Sequence, residues 1–166
     1  MRYNFRMKTK PLTFLLSLTF LFLFSSSSVV FADTAINYTV KSKMAWSAFE
    51  CAVLGSFDKS KPTEALRLFN IGYKETKDFI VALKEKKLND ENFDKDKMPL
   101  FFQFFVGASP SIDFYIGRLY EFVAGLIYDE IEREINNDKL FLDLKFKQKV
   151  AARFFLEKNC QLIGLE

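Results

Sequence analysis

Apolar residues between positions 108 and 136 recur at steps of three and four, which is the spacing of one face of an α-helix. Ser109 followed by Pro110 is a typical beginning, because the hydroxyl can cap a free amide and proline is tolerated in the first turn. The apolar arc is wide, which indicates neighbours on more than one side. We therefore predict a central helix here. Its predicted buried positions are Ile112, Tyr115, Ile116, Leu119, Tyr120, Phe122, Val123, Leu126, Ile127 and Ile131.

The same periodicity predicts three further helices, over residues 41–54, 62–87 and 139–159. Pro62 marks the beginning of the second of these, since proline favours the first helical position. The charged stretch 88–97 predicts a solvated loop. The sequence therefore predicts an all-α fold, a compact orthogonal bundle of four or five helices.

Residues 98–107 form an almost uninterrupted apolar run that is too short for a helix to be assigned from its pattern. One interpretation is an irregular segment buried under the central helix, because monomeric soluble proteins rarely expose a large apolar patch. The alternative is an exposed surface through which the phenylalanines contact a partner. These are Phe101, Phe102, Phe104 and Phe105.

The N-terminus, residues 1–32, has the features of a cleavable signal peptide. A basic region without acids precedes the apolar core 12–24, and small residues lead up to Ala32. The core is short for a membrane span, although an uncleaved anchor is the competing interpretation. We expect cleavage after Ala32, which leaves one exported domain, residues 33–166, without a stable membrane anchor. We expect it in the periplasm, with secretion as the alternative.

Both cysteines, Cys51 and Cys160, lie in the predicted exported part. An even number of cysteines in an exported chain favours a disulfide. A bridge between the first helix and the C-terminus would close a loop of about 110 residues, which contributes about 4–5 kcal/mol in the chain-entropy model. We therefore predict this bridge; the alternative is two separate buried thiols.

Composition excludes several classes of chemistry. The chain contains no histidine, which removes the usual general base near neutral pH, the histidine-dependent triads and histidine-containing zinc sites. The formal net charge is +3, and the basic leader accounts for this excess. The nearly neutral exported part lacks the basic footprint of a nucleic-acid binder. We expect no cofactor, no metal and no nucleic-acid partner.

Carboxylates and glycines alternate at four-residue spacing along one stripe of the predicted central helix. Glycine inside a helix costs about 1 kcal/mol relative to alanine, so some close approach should offset it. One interpretation is close packing against Gly72 or the alanines of the first helix. The other is that the stripe lines a small pocket. It consists of Asp113, Gly117, Glu121 and Gly125, with Tyr128 beside it.

Lys145, Lys149 and Arg153 form a basic stripe on the last predicted helix. The central helix ends with an excess of acidic residues, where the helix dipole prefers positive charge. One interpretation is that the basic stripe pairs with this acidic end. The other is that it forms a surface for an anionic partner.

No sequence motif supports a reaction. Glycoside hydrolysis needs two facing carboxylates, but Asp113 and Glu121 stand about 12 Å apart along a helix, and Glu50 would be a further partner. We therefore expect a non-enzymatic exported protein that binds another envelope or host protein, as an inhibitor, adaptor or immunity-type factor. The alternative is a carrier of a small apolar ligand, and the third candidate is a carboxylate-based hydrolase acting on cell-wall glycan.

Overall fold

The computed structural model describes residues 37–60, 62–100, 102, 110–137 and 144–165. The predicted signal peptide lies outside these residues. The described part of the chain contains four α-helices and no β-strand, which confirms the predicted helical fold. The helices are α1 (Tyr38–Ser56), α2 (Pro62–Lys84), α3 (Ile112–Asn137) and α4 (Leu144–Glu157), with short 3₁₀ turns at Lys95–Lys97 and Cys160–Leu162.

Helix α1 begins three residues earlier than its apolar periodicity predicts. The side chain of Asn37 accepts a hydrogen bond from the backbone N–H of Val40 at 3.1 Å, which caps the first turn. The charged segment after α2 holds this end in place. Tyr38 N donates to Asn92 O at 2.8 Å, and Asp94 N donates to Thr39 Oγ1 at 2.7 Å. This loop is therefore attached to α1 by specific bonds as well as being solvated.

Two other helix boundaries have local causes. Lys86 adopts a left-handed conformation with φ of 56°, which ends α2 before the predicted residue 87. At the beginning of α3, Ser111 Oγ accepts a hydrogen bond from Phe114 N at 3.1 Å. The predicted cap, Ser109, lies outside the described residues.

The core centres on Phe49 of α1, which is fully buried. Its ring lies against Gly72 of α2, where a Cβ atom would be only 2.6 Å from Phe49 Cδ1. The same ring packs on Phe69 of α2 at 5.8 Å between centroids and on Tyr120 of α3 at 5.5 Å. One aromatic side chain therefore joins three helices.

The buried face of α3 differs from the predicted one at two positions. Leu126 is 42% exposed and Phe122 is 44% exposed, so both lie outside the core. A four-residue step advances a helix by more than one full turn, so a row of such steps winds slowly around the axis. The residues of that winding row are buried, and Ile116 beside it is buried as well; the row is Tyr115, Leu119, Val123, Ile127, Ile131 and Ile135.

A disulfide attaches the C-terminus to α1. Cys51 and Cys160 are both buried, with their Cα atoms 5.4 Å apart, which confirms the predicted pairing. Beyond the bridge, Arg67 Nη1 of α2 donates to Ile163 O at 2.6 Å. The last described residues are therefore fixed against both α1 and α2.

None of the helices in the described part of the chain combines the length and the apolar character that a membrane span requires.

Loss of the disulfide should destabilise the domain strongly. Cys160→Ser, or reduction of the native protein, should lower the free energy of unfolding by about 4–5 kcal/mol, because the unfolded chain regains the freedom of a long loop. Urea denaturation with and without a reducing agent measures this change. The Cys51→Ser/Cys160→Ser double variant is the control, since reducing agent should not affect it. An unchanged midpoint on reduction of the native protein would contradict the bridge.

Two glycines should respond in opposite directions to replacement by alanine. Gly72→Ala forces a methyl group against a buried ring and should lower stability by about 1–2 kcal/mol. Gly117→Ala adds a methyl group where no described residue lies within 4 Å, and should raise stability by about 0.5–1 kcal/mol through helix propensity. Urea midpoints of the two variants measure the difference. Equal changes in the urea midpoints of the two variants would contradict the close contact between Gly72 and the ring of Phe49.

Candidate functional site

The predicted stripe of carboxylates and glycines lies on the exposed side of α3. Asp113, Gly117, Glu121 and Gly125 are all exposed. Apart from the adjoining backbone of α3 itself, no described residue lies within 4 Å of a Cβ atom built at either glycine. These glycines therefore do not pack against Gly72 or the alanines of α1; Gly72 packs against the ring of Phe49 instead.

The two ends of the stripe contact different parts of the fold. Asp113 Oδ1 accepts a hydrogen bond from Tyr73 Oη at 2.6 Å, which joins α3 to α2. This bond raises the pKa of Tyr73 above its ordinary value of 10.0, since the hydroxyl is held protonated beside a carboxylate. Tyr128 packs edge-on against Phe57 just beyond α1, at 5.5 Å between ring centroids.

Large apolar side chains stand beside these glycines, and the sequence pattern did not identify them as a surface. Phe114 is 51% exposed, and Phe122 and Leu126 are also well exposed. They are separated by eight and four residues, which places them along one side of the helix. We call Phe114, Phe122 and Leu126, with Gly117 and Gly125, the outer face of α3.

An aromatic contact with α1 holds part of the outer face of α3 in place. The ring of Phe122 packs edge-on against Trp46 of α1, with 6.2 Å between the centroids. Trp46 Nε1 in turn donates to Glu50 Oε1 at 3.1 Å, and Lys158 Nζ lies 3.7 Å from the other oxygen of Glu50. Phe122 is therefore held in position while much of its ring remains accessible.

The carboxylates considered for hydrolysis have separate surroundings. Glu50 is engaged by Trp46 and Lys158, and Asp113 is engaged by Tyr73. Among the contacts of the described residues, none joins Asp113, Glu121 and Glu50. Glu50 and Asp113 are therefore each engaged by partners of their own.

The basic stripe of α4 is used partly for internal pairing. Arg153 forms an ion pair with Glu134 of α3, and its Nε lies 3.8 Å from Glu157. Lys149 lies over the ring of Phe146 at 5.5 Å, and Lys145 is exposed. A neighbouring lysine outside the stripe, Lys147, contacts Glu132 of α3 at 2.8 Å. Two carboxylates at the acidic end of α3, Glu132 and Glu134, are therefore paired with α4.

Of the four phenylalanines between positions 101 and 105, the structure describes Phe102. It is 1% exposed and packs edge-on against Phe79 at 5.2 Å and against Tyr115 at 6.4 Å. Its ring therefore belongs to the core and cannot contact a partner. Phe101, Phe104 and Phe105 lie outside the described residues.

A largely buried ion pair between α1 and α2 has no signature in the sequence. Lys41 Nζ lies 2.6 Å from Glu75 and 3.2 Å from Asp78. Burial lowers the pKa of Lys41, but the hydrogen bonds to the two carboxylates more than offset this and raise the pKa above its ordinary value. We assign these residues a structural role, because the bonds join adjacent helices. Among the described residues there is no group of three or more potential metal ligands.

Removing the Asp113 carboxylate should change the titration of Tyr73. Asp113→Asn should bring the Tyr73 pKa back towards 10.0, because a neutral amide no longer opposes formation of the phenolate. The titration is followed by the ultraviolet absorbance of tyrosinate. Subtracting the curve of the same protein carrying Tyr73→Phe removes the signal of the other tyrosines and leaves that of Tyr73. Since the folded-state pKa is raised, the contribution of this bond to stability is present below pH 10 and is lost as the pH rises through the folded-state pKa.

Glu121→Gln is the matched control, because Glu121 is the other carboxylate of the stripe and has no contact with Tyr73. It should leave the Tyr73 titration unchanged. An Asp113→Asn variant with an unchanged Tyr73 curve would rule out the bond in solution.

No protein-family model matches this chain, and comparison with curated proteins and with solved structures returned no significant match.

Proposed function

We propose that this chain is a non-enzymatic exported protein that binds another protein of the envelope or the host, as an inhibitor, adaptor or immunity-type factor. The binding surface is the outer face of α3. The observation that carries this proposal is the exposure of Phe114, Phe122 and Leu126 on one side of a single helix.

The exposed apolar side chains of the outer face of α3 contribute little to the core and are available to bind a partner. Scattered apolar residues are ordinary on a protein surface, whereas several large exposed apolar side chains along one helix favour an interaction site. The glycines between the large side chains leave recesses in which a partner could bury its own side chains. Aromatic anchors of this kind often contribute most of the binding energy of an interface.

Other parts of the proposal concern location and architecture. The leader is removed after Ala32, the domain of residues 33–166 acts in the periplasm or outside the cell, and no membrane anchor remains. The helices cross as an orthogonal bundle. The basic stripe of α4 contributes less to binding than the outer face of α3, because Arg153 is paired with Glu134.

The test is capture of a partner by the immobilised mature domain from an envelope extract. The wild-type domain should retain one dominant protein, identified by mass spectrometry and then purified. The Phe114→Ser/Leu126→Ser variant should weaken binding of that purified protein by about 30-fold or more, as expected for loss of two buried anchors.

The matched control is Leu66→Ser/Leu144→Ser, which removes two exposed leucines from α2 and α4. This variant should bind the partner as tightly as the wild type. Equal affinity of the Phe114→Ser/Leu126→Ser variant would exclude the outer face of α3 as the interface. Circular dichroism checks that all variants are folded.

A further inference from the structure

A cavity of about 330 Å³ lies between the end of α1, the beginning of α2 and the length of α4. Its volume is at the lower end of the range for small-molecule sites. It is lined by residues other than those of the outer face of α3, so it is a separate candidate site.

The walls of the cavity are mainly apolar. Leu54 is buried, and Phe57, Phe155 and Leu156 complete the apolar lining. Leu156 is 65% exposed, so part of this apolar surface contacts water. The small residue Ala152 leaves space beside these side chains. Covering this surface with an apolar ligand would be favourable, because it removes apolar area from water.

Two amide side chains provide polar groups at the cavity. Gln148 of α4 and Gln161 beyond the disulfide both line it. Neither side chain forms a hydrogen bond with another described residue. Because each amide can both donate and accept, the pair suits a ligand that carries one hydrogen-bonding group.

The charged residues at the cavity disfavour an anionic ligand. The lining contains the carboxylates of Asp58 and Glu64 and no lysine or arginine. Glu64 already accepts hydrogen bonds from Arg67 at 2.7 and 2.9 Å, and Asp58 accepts one from Ser60 Oγ at 2.6 Å. An anion would be repelled here, and both carboxylates already have donors.

We infer that this cavity binds a small, uncharged, mainly aromatic or aliphatic molecule with a single hydrogen-bonding group. The apolar part of the ligand lies against Phe57, Phe155 and Leu156. Its polar group bonds to Gln148 or Gln161.

The probe for this inference is N-phenylnaphthylamine, an uncharged aromatic amine whose fluorescence rises in apolar surroundings. The mature domain with its disulfide intact should bind it saturably, with one molecule per chain by native mass spectrometry and micromolar affinity. Anilinonaphthalene sulfonate, which carries a similar aromatic frame with a negative charge, should bind about tenfold more weakly.

Variants of α4 test the position of the site. Leu156→Gln should weaken binding of N-phenylnaphthylamine about fivefold or more, and Ala152→Phe should abolish it by filling the cavity. Leu144→Gln, at a comparably exposed leucine of the same helix outside the cavity, is the matched control. Phe114→Ser on the outer face of α3 should also leave binding unchanged.

Several results would overturn the inference. They are the absence of saturable binding by the wild-type domain, equal weakening by Leu156→Gln and Leu144→Gln, and tighter binding of the sulfonate than of the uncharged probe. Loss of binding in Phe114→Ser would assign the probe to the outer face of α3 instead. Both leucines are exposed, and circular dichroism verifies that the variants remain folded.

Discussion

The structure depends on one ring, Phe49, which packs directly against Gly72 where α1 contacts α2. The absence of a side chain at Gly72 is what allows this approach, since a methyl group there would collide with the ring. Because the same ring also packs against Tyr120, the position of α3 follows from the approach of the first two helices. Close packing of this kind is intolerant of small changes in volume, so the three helices behave as one unit.

The fourth helix is held by different forces. Its side chains Lys147 and Arg153 pair with the acidic end of α3, and the disulfide fixes the residues that follow it to α1. Exposed ion pairs contribute little individually, whereas the covalent bridge constrains the unfolded chain. Helix α4 is therefore positioned by these attachments together with its buried residues Val150, Ala151 and Phe154, and an apolar cavity remains between it and the ends of α1 and α2.

These two modes of packing leave two different surfaces accessible. The outer face of α3 carries exposed aromatic and aliphatic side chains. The cavity beside α4 is partly open to water and carries two uncharged amides. Phe57 lines the cavity and also packs against Tyr128 of α3.

Local rules were sufficient to predict much of the fold. Apolar periodicity predicted the four helices, because burial of one face imposes a repeat that is visible in the chain. The even number of cysteines predicted the bridge between Cys51 and Cys160, since only two thiols are available. The alternation of glycine with carboxylate led us to expect close packing or a pocket along α3, and the packing expected against Gly72 is not present.

What periodicity could not decide is which side of each helix meets a neighbour. Phe122 and Leu126 fit an apolar arc as well as Ile131 does, and only the winding of the buried row around α3 leaves them exposed. Phe102 lies in an apolar run whose pattern is compatible with burial and with exposure. In the structure its ring packs against Phe79 and is buried. The sequence by itself determined that helices form and that the cysteines pair, because these depend on local spacing and composition. Tertiary structure alone decided the exposed face and the cavity, because both are spaces between elements that are distant along the chain.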